Sequence, residues 1–158
     1  MNTISIIEYT PALAPDFYRI NAQWIEAMFT MEQTDKETLL NPDTKIIAPG
    51  GVILFAEVQG LGIVGACALQ KTGERIFELT KMGVLDSARD QKVGEFLLAA
   101  IIERARMLAT EKLYLLTNSK CAAAIHLYEK AGFVHDAGVM ADYGRRYQRC
   151  DVAMLFCG

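Results

Sequence analysis

The run Arg89-Asp90-Gln91-Lys92-Val93-Gly94 stands directly after a strand-like segment and opens a long helical pattern. A helix start offers N–H groups without intrahelical partners and the positive end of the backbone dipole. With Arg89 and Lys92 on the approach, the run is a candidate cradle for a phosphate or pyrophosphate. Its spacing is neither that of a Walker A loop nor that of a G-x-G-x-x-G fingerprint. Gly83 lies inside the preceding segment, Lys81-Met82-Gly83-Val84. A glycine there marks a bulge or the close approach of another backbone, or else fills a tight core position. One loop separates the two features, so a ligand lying along the strand would end its phosphates on the helix.

Other reactive side chains are less organised. Cys67, Cys121, Cys150 and Cys157 form no CxxC pair and have no neighbouring histidine, so reduced, packed thiols are expected and no metal site. His126 falls on the outer side of a short helix and His135 at a strand end, with no nucleophile nearby to build a triad. Tyr143, Arg145, Arg146, Tyr147 and Arg149 form a basic and aromatic cluster near the C-terminus. Guanidinium forks match carboxylates, so this is either a substrate clamp or a solvated loop.

The elements that must position these groups follow from periodicity. Residues 4–9 are β-branched and short, an opening strand. Between 15 and 29, Phe17, Ile20, Trp24, Ile25 and Met28 recur at helical spacing. Thr34-Asp35-Lys36-Glu37 has the form of a capping box, opening a short helix that stops before Pro42. Residues 52–58, 63–70 and 76–84 are rich in β-formers and joined by short glycine-containing connections, which predicts an antiparallel meander. From 93 to 108 the helical period returns, with Val93, Phe96, Leu97, Ala100, Ile101 and Leu108 on one stripe. A buried strand over 113–116, a helix over 122–130 ended by Gly132, and a strand starting at Phe133 follow. A last strand over 150–156 puts Cys150, Val152, Met154 and Phe156 on one face. The fold class expected is α/β (α+β), one mixed, mostly antiparallel sheet flanked by helices, in a single domain over 1–158.

Composition narrows the function classes. A folded chain of 158 residues buries roughly 69% of the surface it exposes when unfolded, enough for a core without disulfides. Apolar residues make up 52% and charged residues 22%, which excludes a disordered chain. A net charge of −3 with no basic stripe argues against nucleic acid as partner. No apolar run is long enough to span a membrane, and Met1-Asn2-Thr3-Ile4 carries no basic leader, so a cytoplasmic location is expected.

The chain resembles the GNAT superfamily of acyl-CoA-dependent N-acyltransferases, over essentially its full length in element order. Glu78 to Val84 is similar to the family's fourth strand. Arg89 to Gly94 is similar to its Q/R-x-x-G-x-G/A pyrophosphate loop. The run from Ala124 to Phe133, AIHLYEKAGF, matches the longer A-I-x-L-Y-x-K-x-G-F signature. Three slots depart from the pattern. Lys92 stands at the loop's middle glycine, Asp90 at another slot that is often glycine, and Cys121 where an asparagine is usual, with Asn118 at the strand end as its substitute.

The resemblance implies acetyl transfer from acetyl-CoA to a primary amine, by direct attack in a ternary complex and without a metal. Glu78 matches the base that histone-type members use through water; the alternative is a solvated or ion-paired strand residue. Tyr128 matches the tyrosine that protonates the departing thiolate; the alternative is a ring that packs under the cofactor. Backbone N–H groups around Met82 and Val84 would polarise the thioester carbonyl. Arg89, Asp90, Gln91, Lys92, Val93, Gly94 and Asn118 complete the expected acetyl-CoA site. Acceptor selectivity is expected from the first long helix, the segment 30–42 and the surroundings of Tyr147. The acceptor is a small-molecule or peptide amine, and the family's habit of pairing through its sheet or C-terminal strands allows a homodimer. A non-catalytic acyl-CoA-binding module and an oligomeric scaffold with an empty cleft stay open.

Overall fold

The computed structural model describes residues 3–158. The opening strand β1 (Ile4–Glu8) leads into α1 (Ala14–Met28), which has a proline in its first turn and buries Phe17, Ile20 and Ile25. In α2 (Gln33–Leu40) the capping box is not Thr34–Glu37 but Glu32–Asp35, with the Glu32 N–H donating to Asp35 Oδ2 at 2.9 Å. The reason is tertiary: Asp35 is drawn inward by Lys81 and Arg149, and its carboxylate closes the box earlier than Glu37 would.

The meander forms as expected from β2 (Val52–Val58), β3 (Gly62–Gly73) and β4 (Ile76–Val84). After it, α3 (Val93–Met107) carries the chain to β5 (Lys112–Thr117), which runs parallel to β4. There follow α4 (Ala122–Ala131), β6 (Phe133–His135), α5 (Ala137–Tyr143) and β7 (Val152–Phe156). Gly132 closes α4 at φ +114°, a conformation that favours glycine. The sheet has seven strands in the order β1-β2-β3-β4-β5-β7-β6, mixed and mostly antiparallel.

Three expectations on elements change. α5 was not expected; Asp136 caps it by accepting from the Val139 N–H at 2.9 Å, and a helix of 7 residues carries too little apolar periodicity to be read. The inner face of α3 is Val93, Leu97, Leu98, Ile101, Ile102 and Ala105, whereas Phe96 is 54% exposed. Gly65 sets that line: a Cβ there would lie 3.0 Å from Val93 Cγ1 and 3.4 Å from Leu97 Cδ2. Finally, the last strand starts at Val152, after Cys150.

α1 and α3 cover opposite faces. Gly65 faces α3, and Gly83, paired across the sheet with the next residue Ala66, faces α1. Phe17 meets Phe55 edge-on beneath α1, and Met154 and Phe133 extend the same core towards the C-terminal strands. A smaller cluster of Tyr114, Val139 and Ala153 lies under α5.

Candidate active site

Two breaks in the regular sheet create the site. Between the pairs Ala66↔Gly83 and Ala68↔Thr80, β4 advances three residues while β3 advances two. That is a bulge at Lys81 and Met82, and Lys81 sits at φ +53°. The second break is that β4 and β5 pair only from Ile76↔Lys112 to Leu79↔Leu115. Beyond Leu79 the bulged strand leaves β5, whose Leu116 and Thr117 pair with β7 alone. The two parallel strands splay apart, and a cavity of about 670 Å³ fills the gap. Its volume lies within the range of small-molecule sites.

Thr80 to Val84 form one wall and Leu115 to Asn118 the other, with Leu127 and Tyr128 of α4 closing the side. Gly83 belongs to this wall for a reason other than a neighbouring backbone. A Cβ on it would fall 2.7 Å from Trp24 Nε1, because the indole packs directly against the strand at this point. The ring is fixed there: Trp24 Nε1 donates to Asn21 Oδ1 at 3.0 Å, and Asn21 Nδ2 to the Phe17 carbonyl at 3.0 Å.

At one end of the cavity lie Arg89, Asp90, Lys92 and Gly94. Residues 86–91 make a 3-10 turn, and Lys92 then takes the left-handed conformation, φ +61°, before α3 begins. The lysine thus adopts the backbone shape for which glycine is the usual residue. The Lys92 side chain, at the N-cap, makes no capping hydrogen bond to α3. The N–H groups of Val93, Gly94 and Glu95 precede the first intrahelical bond, which runs from Phe96 N to the Lys92 carbonyl at 3.2 Å. Gly94 allows α4 to come close, since a Cβ would lie 3.3 Å from Leu127 Cδ1. Of the expected loop residues 89–94, Gln91 and Val93 lie outside the cavity wall; Val93 turns its side chain into the core, leaving only its backbone for a ligand.

Tyr128 lines the cavity, 7% exposed, its ring edge-on to Phe133. Burial pushes its hydroxyl well above the ordinary tyrosine value, with smaller contributions from Cys67 and Cys121. Asn118 also lines the cavity, but its amide is engaged within the fold. Its Nδ2 donates to the Arg149 carbonyl at 2.6 Å, and its Oδ1 accepts from the Lys120 N–H at 2.9 Å.

Glu78 lies one layer deeper. It is fully buried and is not part of the cavity wall, so it is not solvated; it is ion-paired, with Arg146 Nε 3.4 Å from Oε1. Burial raises its carboxyl above the usual carboxylate range, against the opposing pull of Arg146 and Lys81. Between Glu78 and the cavity stands Tyr147, 5% exposed and on the cavity wall.

Tyr147 belongs to a buried polar network that the sequence placed on a solvated loop or a clamp. Lys81 Nζ donates to Asp35 Oδ1 at 2.8 Å and to the Tyr147 oxygen at 3.3 Å. Arg149 takes Asp35 in a two-bond fork at 2.7 and 2.8 Å and reaches Glu32 at 3.4 Å. Burial alone would raise the Asp35 carboxyl, but Arg149 and Lys81 outweigh it and hold it far below its ordinary value. The Arg149 guanidinium also lies 5.8, 5.6 and 5.0 Å from the ring centres of Trp24, Phe29 and Tyr147. Both carboxylates that hold Arg149 come from the start of α2, Glu32 as its N-cap and Asp35 in its first turn, so the clamp faces inward and is satisfied by the protein itself. Tyr147 and Arg149 were visible in the sequence as a cluster; Trp24 and Asp35 fell within the first long helix and the segment 30–42, from which acceptor selectivity was expected; Lys81 carried no functional signal of its own.

The arrangement suits an elongated ligand with a negatively charged end, held at the uncapped start of α3 by Arg89, Lys92 and backbone N–H groups. Its reactive end would then lie between the splayed strands, beside Tyr128 and Tyr147. Among the described residues no three His, Cys, Asp or Glu side chains are grouped to hold a metal ion, and no helix is long and apolar enough to cross a membrane.

A family model described as an acetyltransferase (GNAT) domain matches residues 49–135. No curated protein matches the chain. Among solved structures, a GNAT-family acetyltransferase from Staphylococcus aureus Mu50 superposes with a TM-score of 0.86 at 22% identity, covering 98% of each chain. A PaiA N-acetyltransferase from Thermoplasma acidophilum in complex with coenzyme A gives 0.73 at 14% identity, covering 99% of each chain. A Bacillus subtilis acetyltransferase in complex with CoA gives 0.68 at 19% identity, covering 99% of this chain and 98% of that one. At these identities the likeness is one of fold.

Proposed function

This chain belongs to the GNAT acetyltransferase family, and from that premise we propose that it moves an acetyl group from acetyl-CoA to a primary amine by direct attack in a ternary complex. The observation that carries the proposal is the gap between β4 and β5, which joins the uncapped start of α3 to the Tyr128 hydroxyl in one continuous cavity. Two neighbours of the same fold were solved with coenzyme A, which supports that ligand for this cavity.

In this reading Arg89, Lys92 and the first N–H groups of α3 hold the pyrophosphate. The backbone around Met82 and Val84, freed from β5 by the splay, polarises the thioester carbonyl. Tyr128 donates to the departing sulfur. Its raised pKa makes complete proton transfer uphill, so its part is chiefly a hydrogen bond to developing negative charge. Glu78 is the proton acceptor in the same reading, although it lies behind Tyr147. Asn118 shapes the wall, its amide being already bonded at both ends.

The acceptor end is walled by Trp24, Met28, Phe29 and Tyr147. The test is release of free CoA thiol from acetyl-CoA on addition of primary amines, together with the unfolding midpoint with and without acetyl-CoA. Ligand at 100 times its Kd adds about 2.7 kcal/mol. A binding-only module gives the midpoint shift without thiol release. Absence of both effects rejects the proposal.

A further inference from the structure

Glu78 is well placed to store a proton and badly placed to fetch one. Both its oxygens are buried, Oε1 has no hydrogen-bond partner among the described residues, and the residue is not itself part of the cavity wall. Its other oxygen, Oε2, accepts a long hydrogen bond from the Tyr147 hydroxyl at 3.5 Å. That hydroxyl also accepts from Lys81 Nζ and Arg146 Nε, both at 3.3 Å, and lies 3.4 Å from Thr80 Oγ1. Two cations pointing at one phenol oxygen hold it in place. Their donated hydrogens also leave the phenol's own proton free to face Glu78. Tyr147 reaches the cavity on its other side.

We infer that Tyr147 is a catalytic residue, the group that takes a proton from the acceptor's ammonium and relays it to Glu78. This rests on the acetyl-transfer reading above. The acceptor's ammonium takes the place of Lys81 Nζ at the Tyr147 oxygen, Lys81 keeping its bond to Asp35. The ammonium proton then passes to that oxygen while the phenol proton passes to Glu78 Oε2, so Tyr147 stays neutral and Glu78 becomes protonated. The nitrogen lone pair then bonds to the thioester carbonyl carbon, and the C–S bond breaks with its electrons on sulfur. Sulfur leaves as a thiolate held by the Tyr128 hydrogen bond, and the surplus proton of the new amide nitrogen reaches it through that hydroxyl, which never carries a full negative charge. Glu78 releases its proton to solvent as the products leave. Lys81 and Arg146 are positioning residues in this scheme.

Burial raises the Glu78 carboxyl, so the relay has a receptive base only above the ordinary carboxylate range. The charged and titratable groups around it are Lys81 from β4, Tyr114 from β5, and Arg146, Tyr147 and Cys150 ahead of β7. Asp35 and Arg149 stand one contact further out.

The test compares wild type, Tyr147→Phe and Glu78→Gln by CoA-thiol release with a panel of acceptors across pH. The panel holds benzylamine, putrescine and alanine amide, which are ammonium ions at neutral pH, and O-benzylhydroxylamine, which is not. The expected result is a loss of about 10²- to 10³-fold for Tyr147→Phe with the ammonium acceptors and of less than about tenfold with the hydroxylamine. The residual rate with ammonium acceptors should climb about tenfold per pH unit as free amine accumulates, where the wild type levels off. Glu78→Gln should reproduce this pattern, and the double variant should be no worse than either single one. An unchanged midpoint shift with acetyl-CoA separates these effects from misfolding, and Glu78→Gln carries the test if Tyr147→Phe does not fold. Equal losses with both acceptor classes, or a change in KM alone with an unaltered pH profile, overturn the inference. No thiol release by wild type with any acceptor overturns the acetyl-transfer reading and the relay with it.

Discussion

A Cβ built on Gly83 would fall 2.6 Å from Trp24 Cδ1, so the indole and the β4 backbone are in direct contact at the cavity wall. The contact explains why a glycine sits in a strand that needs none for its turn: the first helix rests its largest side chain there. Gly83→Ala should therefore push Trp24 off its Asn21 hydrogen bond. The expected cost is about 1–3 kcal/mol of overpacking, or roughly 2–4 °C of midpoint per kcal/mol for a chain of this size. The acetyl-CoA-induced rise in midpoint should shrink in parallel. A midpoint within a degree of wild type would mean that the ring moves aside freely.

Lys92 at φ +61° offers a different test. Lys92→Gly and Lys92→Gln both remove the cation, but only the first relieves the left-handed backbone. Gly should keep stability within about 1 kcal/mol of wild type, since relief of the conformation opposes the added freedom of the unfolded chain. Gln should leave stability unchanged. Both should weaken CoA several-fold in calorimetry, the deficit narrowing as salt rises and screens the lost charge. Equal affinity across the three proteins would remove the Lys92 charge from the phosphate site.

Tyr128→Phe should lower kcat by about 10²-fold while leaving the acetyl-CoA midpoint shift intact. Because burial raises the Tyr128 hydroxyl, its acid form persists above the ordinary tyrosine range. The wild-type rate should accordingly show no falling alkaline limb below pH ~10, the ordinary tyrosine value. A decline that begins lower and vanishes in the variant would contradict the raised value.

Asp35 and Glu78 should move stability in opposite directions with pH. Asp35 is depressed in the folded state, so its contribution is fully present above its unfolded pKa of ~3.9 and is lost as pH falls below that. Asp35→Asn would strand Lys81 and Arg149 and should cost about 3–5 kcal/mol at neutral pH. Glu78 is raised, so the folded state binds its proton more tightly than the unfolded chain. Stability then falls as pH rises from ~4.3 through the folded value. Glu78→Gln should raise the midpoint at pH ~8 and lose that advantage near pH ~4, the carboxylate reference range. Urea titrations at the two pH values read both effects.

Much of the frame was legible because it is written in local periods. The meander, the two later helices and the strands between them follow from alternation, helical spacing and glycine placement. The AIHLYEKAGF run put Tyr128 on the cavity wall without any tertiary information. What was not legible depends on contacts distant in sequence. Asp35 caps its helix early because Lys81 and Arg149 reach it from β4 and the approach to β7. Lys81 reaches Asp35 only because β4 bulges, and no residue type announces a lysine at positive φ. Glu78 was placed on the right strand, but its alternation could not say that Tyr147 would stand between it and the cavity. The sequence cluster around Tyr147 offered a clamp for substrate, and the acidic partners turned out to be the protein's own.

The chain holds a single tryptophan, and that residue forms part of the cavity lining with a guanidinium 5.8 Å from its ring. The protein therefore carries its own optical gauge. Ultraviolet emission excited at the indole band comes from one place, with no other indole to dilute it. Any occupant that strips water from the ring or shifts Arg149 will alter its colour and lifetime, and a nucleotide base stacking nearby will dim it. Binding and release can then be followed on the stopped-flow timescale in the unmodified protein, with no label attached.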